Sequence, residues 1–199
     1  MDLETDYLVI GSGAVGMAFV DTMLRETDAD FVMIDDRAVP GGHWNEAYPF
    51  VRLHQSASTY GVESKELGSG KIEETGPNAG FEELSSAPEI THYYHELMED
   101  TFLPSGRVKF LPLTRYEADG TIRSLLSGEE HMIKVRKKTV FANYLTTSIP
   151  ATHTRNYEVA DGVACLPPND LPLNAPKHQN VCIIGGGKTG TDSIMWLLN

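Results

Sequence analysis

The chain has 199 residues and 41% apolar content, enough for one large domain, or one and a half small ones, with a real core. A formal charge of −12 excludes general affinity for nucleic acid or anionic membranes, so an anionic ligand would need local devices rather than a basic field. No run nears the ~18 apolar residues of a membrane span, the acidic start MDLETDYLVI does not read as a signal peptide, and Cys165 and Cys182, in unlike contexts, suit a reducing cytoplasm rather than a disulfide framework.

In chain order, YLVI (7–10) predicts a short strand, GSGAVG a glycine turn, AVGMAFVDTMLRE a helix with apolar residues at helical spacing, and FVMID (31–35) a second strand. Together they predict one βαβ unit. Residues 36–86 are irregular and rich in Gly, Ser, Asn and Pro. Ser86 opens a helix, with Glu89 three residues on as a capping box and Pro88 in the first turn; it runs through ITHYYHELMEDTF to Pro104-Ser105-Gly106. RVKFLPL (107–113) predicts a strand, and TIRSLL (121–126) with HMIKVRKKTVFA (131–142) a hairpin. Residues 143–180 carry several prolines and little periodicity, a connector; VCII (181–184) predicts the strand that begins a new unit.

The strand–glycine-turn–helix unit occurs twice. In the first, Gly11, Gly13 and Gly16 follow a strand and open a helix, and Asp35 stands 19 residues past Gly16 at the end of the next strand. That is the context of a dinucleotide fingerprint: a tight turn at Gly11, close backbone approach to a pyrophosphate at Gly13, close helix–strand packing at Gly16, and an acid for the ribose hydroxyls. The helix N-terminus supplies free N–H groups and the positive end of its dipole. In the second, Gly185, Gly187 and Gly190 follow VCII. Lys188-Thr189 does not make a phosphate-binding P-loop, because the required glycine position, 182, is cysteine.

Between the fingerprints lies VPGGHWNEAYPFVRLHQSASTYGV (39–62), with Gly41, Gly42, His43 and Trp44, then Tyr48, Pro49 and Arg52. On these residues the chain resembles the two-dinucleotide-binding-domain flavoproteins, nearest the flavin-containing and Baeyer–Villiger monooxygenase group, whose strand-end acid is followed by G-G-x-W and a Y-P-x-x-R-x-D stretch. The resemblance implies FAD held by Gly11, Gly13, Ala14, Gly16, Asp35, Arg37, Gly42, Trp44 and Gln55, and NAD(P)H, NADPH in particular, at Gly185, Gly187 and Gly190. The implied fold is α/β: a Rossmann-like FAD-binding three-layer sandwich over residues 1–150 with an added β-hairpin or meander. A connector at 151–180 and the start of a second Rossmann NAD(P) domain at 181–199 follow, so the chain reads as an N-terminal fragment. The expected partner is a small organic substrate.

Three departures bear on oxygen transfer rather than on FAD. His54 stands where the Baeyer–Villiger pattern has its acid. His153 has Tyr157 four residues on but lacks the F-x-G that precedes the monooxygenase histidine, and His178 is followed at that spacing by Cys182. The family's A-T-G return reads Ala142-Asn143-Tyr144. Arg52 could stabilise negative charge on a reduced flavin, His54 could donate a proton near neutral pH, and Gln55 could meet the flavin's pyrimidine edge; each has a plain loop role as its alternative. His92 and His95, with Tyr93 and Tyr94, suggest a helix packing face rather than a metal site, since no third ligand is evident. KVRKK (134–138) reads as a solvated strand edge. A disulfide reductase would need a close cysteine pair, which is absent. A flavoprotein oxidoreductase and a non-catalytic dinucleotide-fold module both stay open.

Overall fold

Leu3–Ile10 forms β1, Ala14–Glu26 α1 and Phe31–Ile34 β2, with β1 and β2 parallel in the register Tyr7 to Phe31. This is the expected βαβ unit, in a computed structural model that describes residues 3–144 and 149–199. All four residues of β2 are buried, as for a strand covered on both faces. Residues 36–86 then make a long excursion containing two short 3-10 turns, Gly42–Glu46 and Ala57–Thr59. Helix α2, Ala87–Leu97, starts where the capping box places it: the Ser86 amide donates to Glu89 Oε2 at 2.7 Å. The helix continues as a π-turn over Met98–Phe102 and a 3-10 turn over Leu103–Ser105, and ends at Gly106 with φ +69°.

Strand β3 (Val108–Leu111) returns parallel to β2. Strands β4 (Thr114–Tyr116) and β5 (Thr121–Ser124), with the start of β6 (Glu130–Phe141), form an antiparallel meander; the rest of β6 runs parallel to β1. The sheet order is β3-β2-β1-β6-β5-β4. Alternating side chains divide the core. On one face Val9, Phe31 and Met33 pack against Met17 and Val20 of α1 and Ile90, Tyr94 and Leu97 of α2. On the other, Leu8, Ile10, Val32 and Ile34 pack against Ile122 and Ile133 of the meander. The layers are helices, sheet and meander, the α/β sandwich expected. Each large apolar side chain buried this way contributes about 1.5–3 kcal/mol. Beyond the sheet come a short helix α3 (Leu171–Asn174) and α4 (Lys188–Leu198).

Three expectations change. VCII is not a strand: residues 181–184 find no sheet partner among the described residues, and Val181 and Ile184 are 42% and 68% exposed. An unpaired extended segment has nowhere to place its N–H and C=O groups except water. KVRKK is not a freely solvated edge. It lies along β1, where Lys134 pairs with Glu4, Arg136 with Asp6 and Asp30, and Lys137 with Asp6. The packing face of α2 consists of Ile90, Tyr93, Tyr94 and Leu97, while His92 and His95 face solvent and His92 pairs with Glu96. Strand β4 was not anticipated; its three residues carry too little pattern to stand out.

Candidate functional site

The first glycine turn directly follows the C-terminal end of β1. Gly11 takes φ +105°, and its amide donates to the Ile34 carbonyl at 2.9 Å. Helix α1 opens at Ala14 with Gly13 as its N-cap and no side-chain cap. Gly16 is needed for contact: a Cβ there would strike the Gly11 carbonyl oxygen and lie 3.1 Å from the carbonyl carbon. The close helix–strand packing expected at Gly16 takes the form of the helix against its own turn, with the Ala142 Cβ just beyond β6 3.4 Å from the added Cβ. Gly13 faces Gly42, and a Cβ on Gly13 would lie 3.5 Å from the Gly42 Cα. The Gly41 amide donates to the Ser12 carbonyl at 2.9 Å, so the GGHW segment is tied across the glycine turn.

Asp35 is buried and already engaged. Its Oδ2 accepts from the Ser12 amide at 2.7 Å and from Ser12 Oγ at 2.9 Å, and Oδ1 accepts from the Arg37 amide at 2.9 Å. A carboxylate has about four acceptor positions, so these bonds leave one on Oδ1, from which Arg37 Nη1 stands 3.8 Å away. The Arg37 guanidinium makes a two-point pair with Glu46, at 2.9 and 2.8 Å. Trp44 Nε1 donates to the Tyr60 hydroxyl at 2.6 Å, its ring edge-on to Tyr60. His43 lies against Trp44, with ring centres 5.1 Å apart. Burial pushes the His43 imidazole below its ordinary value of 6.5, and the Arg37 charge pushes it further against the opposing pull of Glu46.

The other candidates lie further along the loop. Arg52 Nη2 pairs with Glu73 at 2.7 Å and Nε donates to the Leu84 carbonyl at 2.9 Å. His54 and Gln55 are exposed and make no hydrogen bond to another described residue. The turn and GGHW thus come together, and RLHQ stands apart, with Arg52 committed to Glu73. Sequence reading did not single out Ser12, Glu46 or Tyr60; a serine inside the glycine turn facing a strand-end acid was the available signal.

The second glycine turn repeats the first in detail. Gly185 takes φ +116°, against +105° at Gly11. Gly187, the N-cap of α4, has φ −79° and ψ −177°; Gly13 has φ −79° and ψ −172°. A Cβ on Gly190 would strike the Gly185 carbonyl oxygen, 3.2 Å from its carbon, as at Gly16. The first helical bonds also match: Met17 N to Gly13 O at 2.9 Å, Thr191 N to Gly187 O at 3.0 Å. A strand partner is present before the first turn; before the second there is none among the described residues.

Comparison with known proteins places the fold. No protein-family model matches the chain. Uncharacterized proteins of Mycobacterium tuberculosis and Mycobacterium bovis are each 46% identical over 196 residues, 98% of this chain and 36% of theirs. The chain thus spans little more than a third of the length of these curated relatives. Among solved structures it is similar to the polycyclic ketone monooxygenase of Thermothelomyces thermophila (TM-score 0.60, 17% identity, covering 98% of this chain and 34% of that one). It is also similar to a closed cyclohexanone monooxygenase (0.55, 20%, 99% and 36%) and to an oxidised steroid monooxygenase bound to NADP (0.51, 20%, 80% and 28%). At these identities the likeness shows the fold: the chain has the architecture of the matching third of those enzymes.

Proposed function

We propose that the chain carries the FAD-binding part of an NAD(P)H-dependent flavoprotein oxidoreductase acting on a small organic substrate. The observation that carries this reading is the repeated turn: two glycine turns of one geometry, each opening a helix without a side-chain cap. The first-turn N–H groups of both helices have no carbonyl partner within the helix, which is the arrangement that holds a pyrophosphate. Their fold relatives include an NADP-bound steroid monooxygenase.

In this reading residues 1–150 form the flavin unit, 151–180 the connector, and 181–199 carry the nicotinamide-nucleotide turn. The amides at 13–16 would hold the flavin pyrophosphate, and the remaining acceptor position of Asp35 would take a ribose hydroxyl. Ser12 and Arg37 fix that carboxylate in place. Gly42 brings the backbone of the GGHW segment beside the turn, and Trp44, anchored by Tyr60, supplies an aromatic wall. The amides at 187–190 would hold NADPH. Bound flavin supplies two-electron redox chemistry, accepting hydride from a reduced nicotinamide. Arg52 is proposed as the positive charge near the reacting ring once released from Glu73, His54 as a proton donor from the exposed loop, and Gln55 as a hydrogen-bonding contact.

The test is anaerobic addition of NADPH to the FAD-loaded protein, following the flavin band near ~450 nm. Bleaching by NADPH, slowed at least ~10-fold in a Gly187→Ala variant, supports the reading. Retained FAD that NADPH never reduces would confine the protein to flavin binding.

A further inference from the structure

Helix α4 has no fully buried apolar side chain, and only Trp196 and Leu197 among its large apolar residues are partly buried. Ser193 is its one buried residue, while Ile194, Met195 and Leu198 are 45%, 42% and 77% exposed. An eleven-residue helix with no buried apolar face is marginal on its own. Its placement therefore rests on a few side-chain contacts, and these converge on one short stretch of the flavin unit. The Tyr48 hydroxyl donates to Asp192 Oδ2 at 2.7 Å, and Lys188 Nζ pairs with that same carboxylate oxygen. The Phe50 ring stacks on Trp196, with centres 5.4 Å apart and planes 26° apart. Asn169, in the connector, donates to the Glu46 carbonyl at 3.0 Å. Tyr48 is 8% exposed and packs with Val51 and Ala87.

The stretch that receives α4 directly follows the GGHW turn. Gly42 touches Gly13, Trp44 packs near Phe50 and Tyr48, and Tyr48 reaches Asp192 at the start of the second turn of α4, whose carboxylate holds Lys188 of the first turn. A continuous run of backbone, residues 42–50, thus joins the two glycine turns. We propose that Tyr48, through Asp192, is a positioning residue that fixes the second glycine turn against the loop of the first, so that a nucleotide held at one turn alters affinity at the other. The inference rests on the functional reading above for its ligands, but its structural half stands without them.

The test has two arms. Without nucleotides, hydrogen exchange of the amides of residues 187–196 is compared in wild type, Tyr48→Phe, Asp192→Ala and Asp192→Asn. Exchange should rise roughly tenfold in Tyr48→Phe and Asp192→Ala, with no further rise in the double variant, and recover in part in Asp192→Asn, which keeps an acceptor for the phenol. Unchanged exchange in Tyr48→Phe and Asp192→Ala overturns the proposal. With nucleotides, FAD affinity is measured with and without NADP+. Wild type should show a shift of a few fold that Tyr48→Phe abolishes while its affinity for FAD alone stays unchanged. A shift that survives in Tyr48→Phe, or wild type that binds both nucleotides with no shift, overturns the coupling. A protein that binds no FAD contradicts the functional reading instead, and the exchange arm still decides the role of Tyr48.

Discussion

Gly13 and Gly42 meet backbone to backbone: the Cβ that Gly42 lacks would lie 3.0 Å from the Gly13 Cα, and Gly42 holds φ at +57°. The two positions are not equivalent. Gly42→Ala brings both a tight contact and a strained backbone, and should lower stability by about 1–3 kcal/mol. Gly13 has an extended backbone with ordinary room for a Cβ, at 3.5 Å from Gly42. Gly13→Ala should leave the unfolding free energy within about 0.5 kcal/mol of wild type yet lose FAD retention, because on the proposed reading its new methyl would stand in the way of the pyrophosphate. Urea unfolding of the two variants side by side checks the contrast.

Asp35 connects the glycine turn to the end of β2. Asp35→Asn places an amide donor against the Ser12 or Arg37 N–H and should cost about 2–4 kcal/mol, while Ser12→Ala removes a single hydroxyl bond and should cost about 1–2 kcal/mol. The double variant should fall short of the sum, since both act on one network. Additive losses by equilibrium unfolding would show that the two side chains act separately.

His43 gives the loop a pH dependence. Burial, aided by Arg37, holds its imidazole below the 6.5 of an unfolded chain. The folded state therefore favours the neutral ring, so its contribution is complete above ~6.5 and is lost as pH falls through the lower folded value. Wild type should lose stability between ~pH 7 and ~pH 5, and His43→Gln should show a shallower slope there. Parallel slopes in a urea-midpoint series would contradict the assignment.

Arg136 is the hub of the β1–β6 charges. Lys134 lowers Glu4, and Arg136 lowers Asp6; at Asp30 partial burial, which raises, is outweighed by bonds from the Asp6 amide, Thr5 and Arg136. Depressed carboxylates stabilise above their unfolded values of 3.8 and 4.5, and that stability is lost as pH falls below them. Arg136→Ala should be less stable at neutral pH, lose less on acidification below ~4, and differ less from wild type in ~1 M salt. Thermal melts across pH and salt test all three.

Much of this fold was legible in the sequence because its signals were local. The βαβ unit followed from period and glycine turn, and the Ser86–Glu89 capping box fixed the start of α2. What escaped was decided at long range. VCII has the composition of a strand, but a strand exists only with a partner, which no local pattern supplies. Lys134, Arg136 and Lys137 read as a solvated run because Glu4, Asp6 and Asp30 are over a hundred residues away in sequence. Tyr48 drew attention as part of a Y-P motif, while its bond to Asp192 spans 144 residues. Arg52 and His54 were picked out by resemblance, and the Arg52–Glu73 pair is a tertiary fact.

The central claim is that the Gly11–Gly16 turn binds FAD. The most direct measurement is an absorbance spectrum of the purified protein after incubation with FAD and desalting. Bands retained near ~370 and ~450 nm in wild type, and lost in a folded Gly13→Ala variant, are the predicted result. A folded wild-type protein that emerges colourless, or a Gly13→Ala variant that retains flavin equally well, would contradict it.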